Sequence, residues 1–191
     1  MRLPRLLVLT DRGMCAGPLP STVAAAVEAG ARAVVLREKD LPPHERAVLA
    51  RAIAGILGPV DGTLIVASSG TGAVHLAARD PFPEPRPALV GRSCHSVASV
   101  AAAVAEGCDY VTVSPVFPTA SKPGYGPALG VDGLAVRTRD APPVYALGGV
   151  LPSAVRACRA AGAHGVAVMG PVMRDPRLVA AYVDALEEEL P

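Results

Sequence analysis

Short apolar runs alternate along this chain with Ala-rich stretches whose apolar positions recur at helical spacing. The runs predict strands at residues 5–10, 33–37, 64–67, 73–76, 88–90, 110–113, 144–146 and 165–168. The stretches between them predict helices at 21–29, 41–57, 96–106, 131–138, 152–161 and 176–190. Gly30 suits the stop of the first helix, Pro42-Pro43 the start of the second, and Ser96 the N-cap of the third. The pattern breaks twice. The third and fourth strands are joined by a Ser/Gly/Thr-rich stretch shorter than the ~10 residues that a crossover helix needs. The stretch after the fourth strand holds Pro81, Pro83, Pro85 and Pro87, which no regular helix tolerates. Eight strands in β–α order predict a single (β/α)8 TIM barrel over 1–191, with the third and fourth helices shortened or missing. An open doubly wound sheet fits less well, because no Gly-x-Gly-x-x-Gly follows the first strand.

Composition sharpens this picture. Hydrophobic residues make up 51% of the chain but aromatics only 3%, and Trp is absent, so the core is built from Ala, Val and Leu. A net charge of +1 argues against nucleic acid or an anionic membrane as partner. No apolar run approaches the ~18 residues of a membrane span. The apolar start Leu6-Leu7-Val8-Leu9 is closed by Asp11-Arg12, too early for a signal sequence. These features predict a cytoplasmic protein. Cys15, Cys94, Cys108 and Cys158 form no CxxC pair and are expected as free thiols. A homo-oligomer is open, since nothing in the pattern addresses it.

Barrel enzymes carry their chemistry at the C-terminal strand ends. After strands seven and eight stand Gly148-Gly149 and Met169-Gly170, where glycines let backbone N–H groups approach an anion. We expect a phosphate there. After strand two, alternation puts Arg37 and Lys39 on one side, two cations suited to a phosphate or pyrophosphate, with Glu38 and Asp40 available to balance them. After strand five, Ser93 and His95 share a face and Cys94 turns away; His95 is the candidate general acid or base. After strand six, residues 114–130 carry Thr119, Ser121 and Lys122 in a Pro/Gly frame suited to a lid. His75 reads as a hydrogen-bonded structural residue, His44 and His164 as solvent positions, and Asp80 as a lone candidate metal ligand.

Together these motifs resemble the thiamine phosphate synthase/TenI family. The resemblance rests on Leu7-Val8-Leu9-Thr10-Asp11-Arg12, Leu36-Arg37-Glu38-Lys39, Gly91-Arg92-Ser93-Cys94-His95-Ser96, Pro115-Val116-Phe117-Pro118-Thr119-Ala120-Ser121-Lys122 and Ala146-Leu147-Gly148-Gly149, in order and spacing. It implies a thiazole phosphate held by Thr119 and Ser121 and by backbone at Gly149 and Met169-Gly170. It implies a pyrophosphate held by Arg37, Lys39 and Lys122 with Ser93. Synthases of this family add an Asn-Asp pair after strand three, whose Asp shares Mg2+ with an acid after strand four. Here the pair reads Ala67-Ser68, and the Gly-Gln-x-Asp motif reads Ala77-Ala78-Arg79-Asp80. The Gln expected before Arg37 is Val35. One carboxylate is thin support for Mg2+.

The favoured expectation is a TenI-like thiazole tautomerase, which needs no cofactor and uses His95. Against it, the position of a second histidine in some TenI proteins is Pro115. The alternatives are a thiamine phosphate synthase using Mg2+, which couples hydroxymethylpyrimidine pyrophosphate to thiazole phosphate, and a non-catalytic binder of a thiamine-pathway phosphate that acts through a partner.

Overall fold

Side-chain alternation along parallel strands decides where each core lies. The computed structural model describes residues 3–68, 70, 72–119 and 127–189. Strands β1 (Leu6–Leu9), β2 (Ala33–Leu36), β3 (Thr63–Ala67), β4 (Ala73–Leu76), β5 (Leu89–Cys94), β6 (Tyr110–Val113), β7 (Val144–Leu147) and β8 (Gly165–Val168) pair in chain order. β8 returns to pair with β1, which closes the barrel. Leu6 and Val8 face outward into the layer between sheet and helices, while Leu7 and Leu9 face the interior with Val35, Ile65, Tyr110 and Tyr145. Helices α1 (Leu19–Glu28), α2 (Pro43–Leu57), α3 (Val97–Ala105), α4 (Gly130–Thr138), α5 (Val155–Ala160), α6 (Gly170–Arg174) and α7 (Leu178–Glu187) surround the sheet. Ser96 caps α3 as expected, accepting from the Ser99 amide.

Among the described residues no helix stands between β3 and β4 or between β4 and β5, as the short linker and the four prolines predict. Arg92 takes up part of that vacancy. It is buried on the outer side of β5, where Nη1 donates to the carbonyls of Ala77 (3.1 Å) and Asp80 (2.8 Å). Its Nε lies 2.8 Å from Glu106 Oε2, just past α3. The side chain thus binds the segment after β4 with two charge-assisted hydrogen bonds and meets the next β/α unit through an ion pair in which Nε makes no hydrogen bond.

Three sequence expectations need correction. β5 does not stop at Val90: Gly91 to Cys94 pair with Tyr110 to Val113, so Ser93 lies within the strand. The C-terminal helix starts at Leu178, and a separate short helix, α6, precedes it. His164 is half-buried at the N-terminal end of the barrel, with its ring edge-on to Tyr145 at 5.3 Å, and is no simple solvent position. The four cysteines are free thiols, three of them buried. Among the described residues no helix is long and apolar enough to cross a membrane.

The glycine at β5 follows from the interior packing. Register places His75, Gly91 and Tyr110 side by side on β4, β5 and β6. The Tyr110 ring fills the space over Gly91, where an added Cβ would lie 2.0 Å from Tyr110 Cζ. Gly91→Ala is therefore expected to destabilise the fold by about 1–3 kcal/mol through overpacking. Urea unfolding measures this, and an unchanged midpoint would contradict the ring placement.

Candidate active site

A cavity of about 370 Å3 opens at the C-terminal ends of the strands. This is the size of a small-ligand site. Every described residue that the sequence nominated for binding or acid–base chemistry lines it: Arg37, Lys39, Ser93, His95, Thr119, Gly148, Gly149, Met169 and Gly170. Ser121 and Lys122 lie outside the described residues, as do Pro123, Gly124 and Gly126 of the expected lid.

The cationic wall is set by what happens to Glu38. Alternation turns this residue away from the cavity and buries it. Its carboxylate accepts from Thr10 Oγ1 (2.7 Å), from the Arg12 amide (3.2 Å) and from Arg12 Nη1 (3.1 Å). Arg12 also forks onto Asp40, which holds the arginine above its ordinary range and the Asp40 carboxyl below its own. The two acids expected to balance Arg37 and Lys39 are thus engaged by Arg12. Among the described residues Arg37 and Lys39 form no salt bridge. Thr10 Oγ1 also accepts the Arg37 amide at 3.0 Å, so the end of β2 is held at both neighbours.

The opposite wall comes from β7 and β8. Gly148 and Gly149 have φ of 91° and 67°, in the left-handed region. The segment after β6 runs against them: Val116 N–H donates to Leu147 O and Phe117 N–H to Gly148 O, both at 2.9 Å. A Cβ on Gly149 would lie 2.3 Å from Pro118 O. Packing alone therefore demands these glycines. They also leave the Gly149 amide without a backbone acceptor among the described residues. Gly170 opens α6, so its amide has no intrahelical acceptor. Arg174, one turn later, folds back over Gly170, with Nη2 and Nη1 at 3.3 and 3.4 Å from the place a Cβ would occupy there. It lines the cavity and forms no salt bridge among the described residues. Sequence reasoning missed Arg174. Its signal was the spacing of four from Gly170, legible only once a helix is placed there.

Two histidines stand between the walls. His95 Nδ1 lies 2.9 Å from the Ser114 carbonyl, which can only accept. The Ser114 hydroxyl lies 3.3 Å from the same nitrogen; the nearer carbonyl favours a hydrogen on Nδ1, the tautomer whose lone pair is on Nε2. His75 is hydrogen-bonded, as the sequence suggests, but it also lines the cavity. Its Nδ1 lies 3.0 Å from the Tyr110 hydroxyl and its Nε2 2.9 Å from Ser93 Oγ. Burial first, then the charge of Lys39, lowers its pKa to about 4; Arg37 and Arg92 add to this and Asp80 opposes it.

The donor set does not fit Mg2+, a hard cation that seeks carboxylate oxygens. Among the described residues no carboxylate lines the cavity. Asp80, the one acid retained from the expected pair, accepts on Oδ2 from Ser68 Oγ (2.7 Å) and from the Ala77 amide (2.8 Å). Ser68 thus stands where a second carboxylate was expected, as a hydrogen-bond donor. No cluster of three or more His, Cys, Asp or Glu able to hold a metal occurs among the described residues.

Fold and cavity define a barrel protein with a concave, cation-lined site at the C-terminal strand ends. Residues 6–172 match the family model described as thiamine monophosphate synthase, and the chain belongs to that family. It is 38% identical to a putative thiamine-phosphate synthase of Geobacter sulfurreducens, over 90% of this chain and 87% of that one. It is 34% identical to a thiamine-phosphate synthase of Methanoregula boonei, over 98% and 93%. Among solved structures, a thiamine phosphate pyrophosphorylase from Pyrococcus furiosus superposes with a TM-score of 0.83 at 26% identity, covering 96% and 95% of the two chains. These relatives do not separate a tautomerase from a synthase.

His75 is expected to make stability pH-dependent. The unfolded chain takes up a proton at this residue below about 6.5, whereas the folded chain resists until about 4. The unfolded state binds more protons across that window, so stability falls as pH falls through it, by up to about 3 kcal/mol. Urea unfolding of the wild type and of His75→Gln between these pH values should show the extra loss only in the wild type. Parallel profiles would contradict the assignment.

Proposed function

We propose that this cavity binds a thiazole phosphate and that the chain is a thiazole tautomerase, an acid–base isomerase that needs no metal. The observation that carries the reading is the charge of the cavity wall. Among the described residues it presents Arg37, Lys39 and Arg174 with two histidines, and no carboxylate. In this reading the phosphate sits at the Gly149 and Gly170 amides under the Arg174 guanidinium, with Thr119 beside it. The carboxylate of the thiazole faces Arg37, Lys39 and Ser93.

In this reading the described residues supply the base and the cations for the isomerisation. His95 Nε2, with Nδ1–H held by the Ser114 carbonyl, removes a proton from ring carbon. The C–H electron pair shifts through the ring and the double bond moves. The imidazolium then returns the same proton at the other end of the shifted system. No electron is gained or lost, and Arg37 and Lys39 stabilise the negative charge that develops meanwhile.

A second reading, thiamine phosphate synthase, is favoured by the names of the relatives and by the gathering of Arg37, Lys39, Ser93 and Thr119 in one cavity. Two assays separate the readings. Wild-type protein should speed aromatisation of the unrearranged thiazole carboxylate phosphate, and His95→Ala should lower that rate by about 100-fold or more. Pyrophosphate release from hydroxymethylpyrimidine pyrophosphate and thiazole phosphate with Mg2+, without any aromatisation, would establish the synthase instead. Binding with neither turnover would leave a non-catalytic carrier or regulator. Arg174→Ala should weaken inorganic phosphate binding about tenfold by calorimetry, as expected for loss of a charge-assisted bond. An unchanged affinity would place the phosphate elsewhere.

A further inference from the structure

We propose that Tyr110 and His75 form a one-directional hydrogen-bond relay that commits the Ser93 hydroxyl hydrogen to the cavity, so that Ser93 is a pre-set donor to an anionic oxygen beside Arg37 and Lys39. The part of this concerning the ligand rests on the anion-binding reading above; the relay itself does not.

The direction follows from the one end of the chain that has no choice. The Tyr110 ring and hydroxyl are buried inside the barrel, and among the described residues the hydroxyl has one hydrogen-bond partner, His75 Nδ1 at 3.0 Å. Burial pushes its pKa well above the usual value, so the phenol keeps its hydrogen. If that hydrogen is to be satisfied, O–H must donate to Nδ1. Nδ1 then bears the lone pair, and a neutral imidazole places its hydrogen on Nε2. Nε2–H in turn donates to Ser93 Oγ at 2.9 Å. Ser93 accepts there, and its own hydrogen is left for the cavity that it lines.

The reverse chain is costlier. Were Ser93 to donate to Nε2, Nδ1–H would donate to Tyr110 and the phenol hydrogen would be buried without an acceptor. A buried donor without an acceptor is costly enough to hold one direction. An imidazolium is disfavoured as well, because His75 is buried near Lys39, Arg37 and Arg92, with Asp80 as the opposing charge. The backbone makes the reach possible. His75, Gly91 and Tyr110 are register neighbours on three successive strands, and only a glycine on the middle strand lets the Tyr110 ring extend across to His75.

The relay makes His75 a positioning residue. A hydroxyl whose hydrogen is already directed at the cavity binds a carboxylate or phosphoryl oxygen without first breaking an internal bond. The same hydroxyl offers no hydrogen to the imidazole, so ligand binding leaves the histidine unchanged.

Long-range 1H–15N spectra of histidine-labelled protein test this directly. At pH 7 His75 should be the Nε2–H tautomer in the free protein, and it should remain so when inorganic pyrophosphate is added. An Nδ1–H tautomer in the free protein, a switch of tautomer on binding, or an imidazolium would each overturn the relay. Ser93→Ala should weaken pyrophosphate binding about 3- to 10-fold, the worth of one hydrogen bond. His75→Phe should weaken it in the wild type but add nothing in the Ser93→Ala background; additive losses would show that His75 does not act through Ser93. If pyrophosphate fails to bind the wild type and Lys39→Ala alike, the anion-binding reading falls. The free-protein tautomer still decides the relay in that case.

Discussion

A closed barrel must fill its own interior, and this chain has little to fill it with. Ala, Val and Leu dominate and Trp is absent. Two tyrosines supply the bulk, ring edge against ring face at 5.6 Å between centroids. They point their hydroxyls in opposite directions. Tyr145 donates to the Pro4 carbonyl at 2.6 Å, at the N-terminal end of the barrel, and Tyr110 reaches His75 at the floor of the cavity. A buried hydroxyl without a partner is expensive, so each tyrosine dictates a polar group at its own end. One closes the bottom of the barrel. The other brings a histidine, and through it a serine, into the site. The core packing and the polar floor of the cavity are thus one constraint.

The walls depend on the same two-residue alternation that sorts the core. At the end of β2 it sends Arg37 and Lys39 into the cavity and Glu38 out of it. Arg12 and Thr10 then bind Glu38 outside the cavity and leave the cations facing the ligand space. A single residue of slip would invert this arrangement and put a carboxylate where an anion is expected. The register of β2 on β1 and β3 is therefore an electrostatic specification as well as a packing one.

How much of this was legible in the sequence varied with the physical origin of each feature. The eight strands, and the absence among the described residues of helices after the third and fourth, follow from local signals: β-branched runs, prolines, and a linker too short to hold a helix. Arg37 and Lys39, like Ser93 and His95, follow from alternation alone. Other features depend on neighbours distant in sequence. Gly91 and Arg92 are poor strand formers, and β5 includes them because Tyr110 needs the space over the first and the segment after β4 needs the charge of the second. Arg174 enters the site through a helix of five residues, shorter than any periodicity can reveal. His75 reads as structural because a histidine within a strand usually is; its second role comes from lying at the strand end where the cavity opens.

The trimmed side of the barrel bears on the chemistry through Asp80. With no helix after β3 or β4 among the described residues, the ends of those strands are held by what they can bind directly. Ser68, with φ of 63°, donates to Asp80, and the Asp80 carbonyl accepts from Arg92. The one acid retained at this rim thus serves as a joint in a chain running from Ser68 through Asp80 and Arg92 to Glu106. Ser68 and the Ala77 amide both donate to one oxygen of that carboxylate, Oδ2. The trimmed rim thus uses its one retained acid structurally through Oδ2, and among the described residues what lines the cavity is cation, histidine and hydroxyl, with no carboxylate.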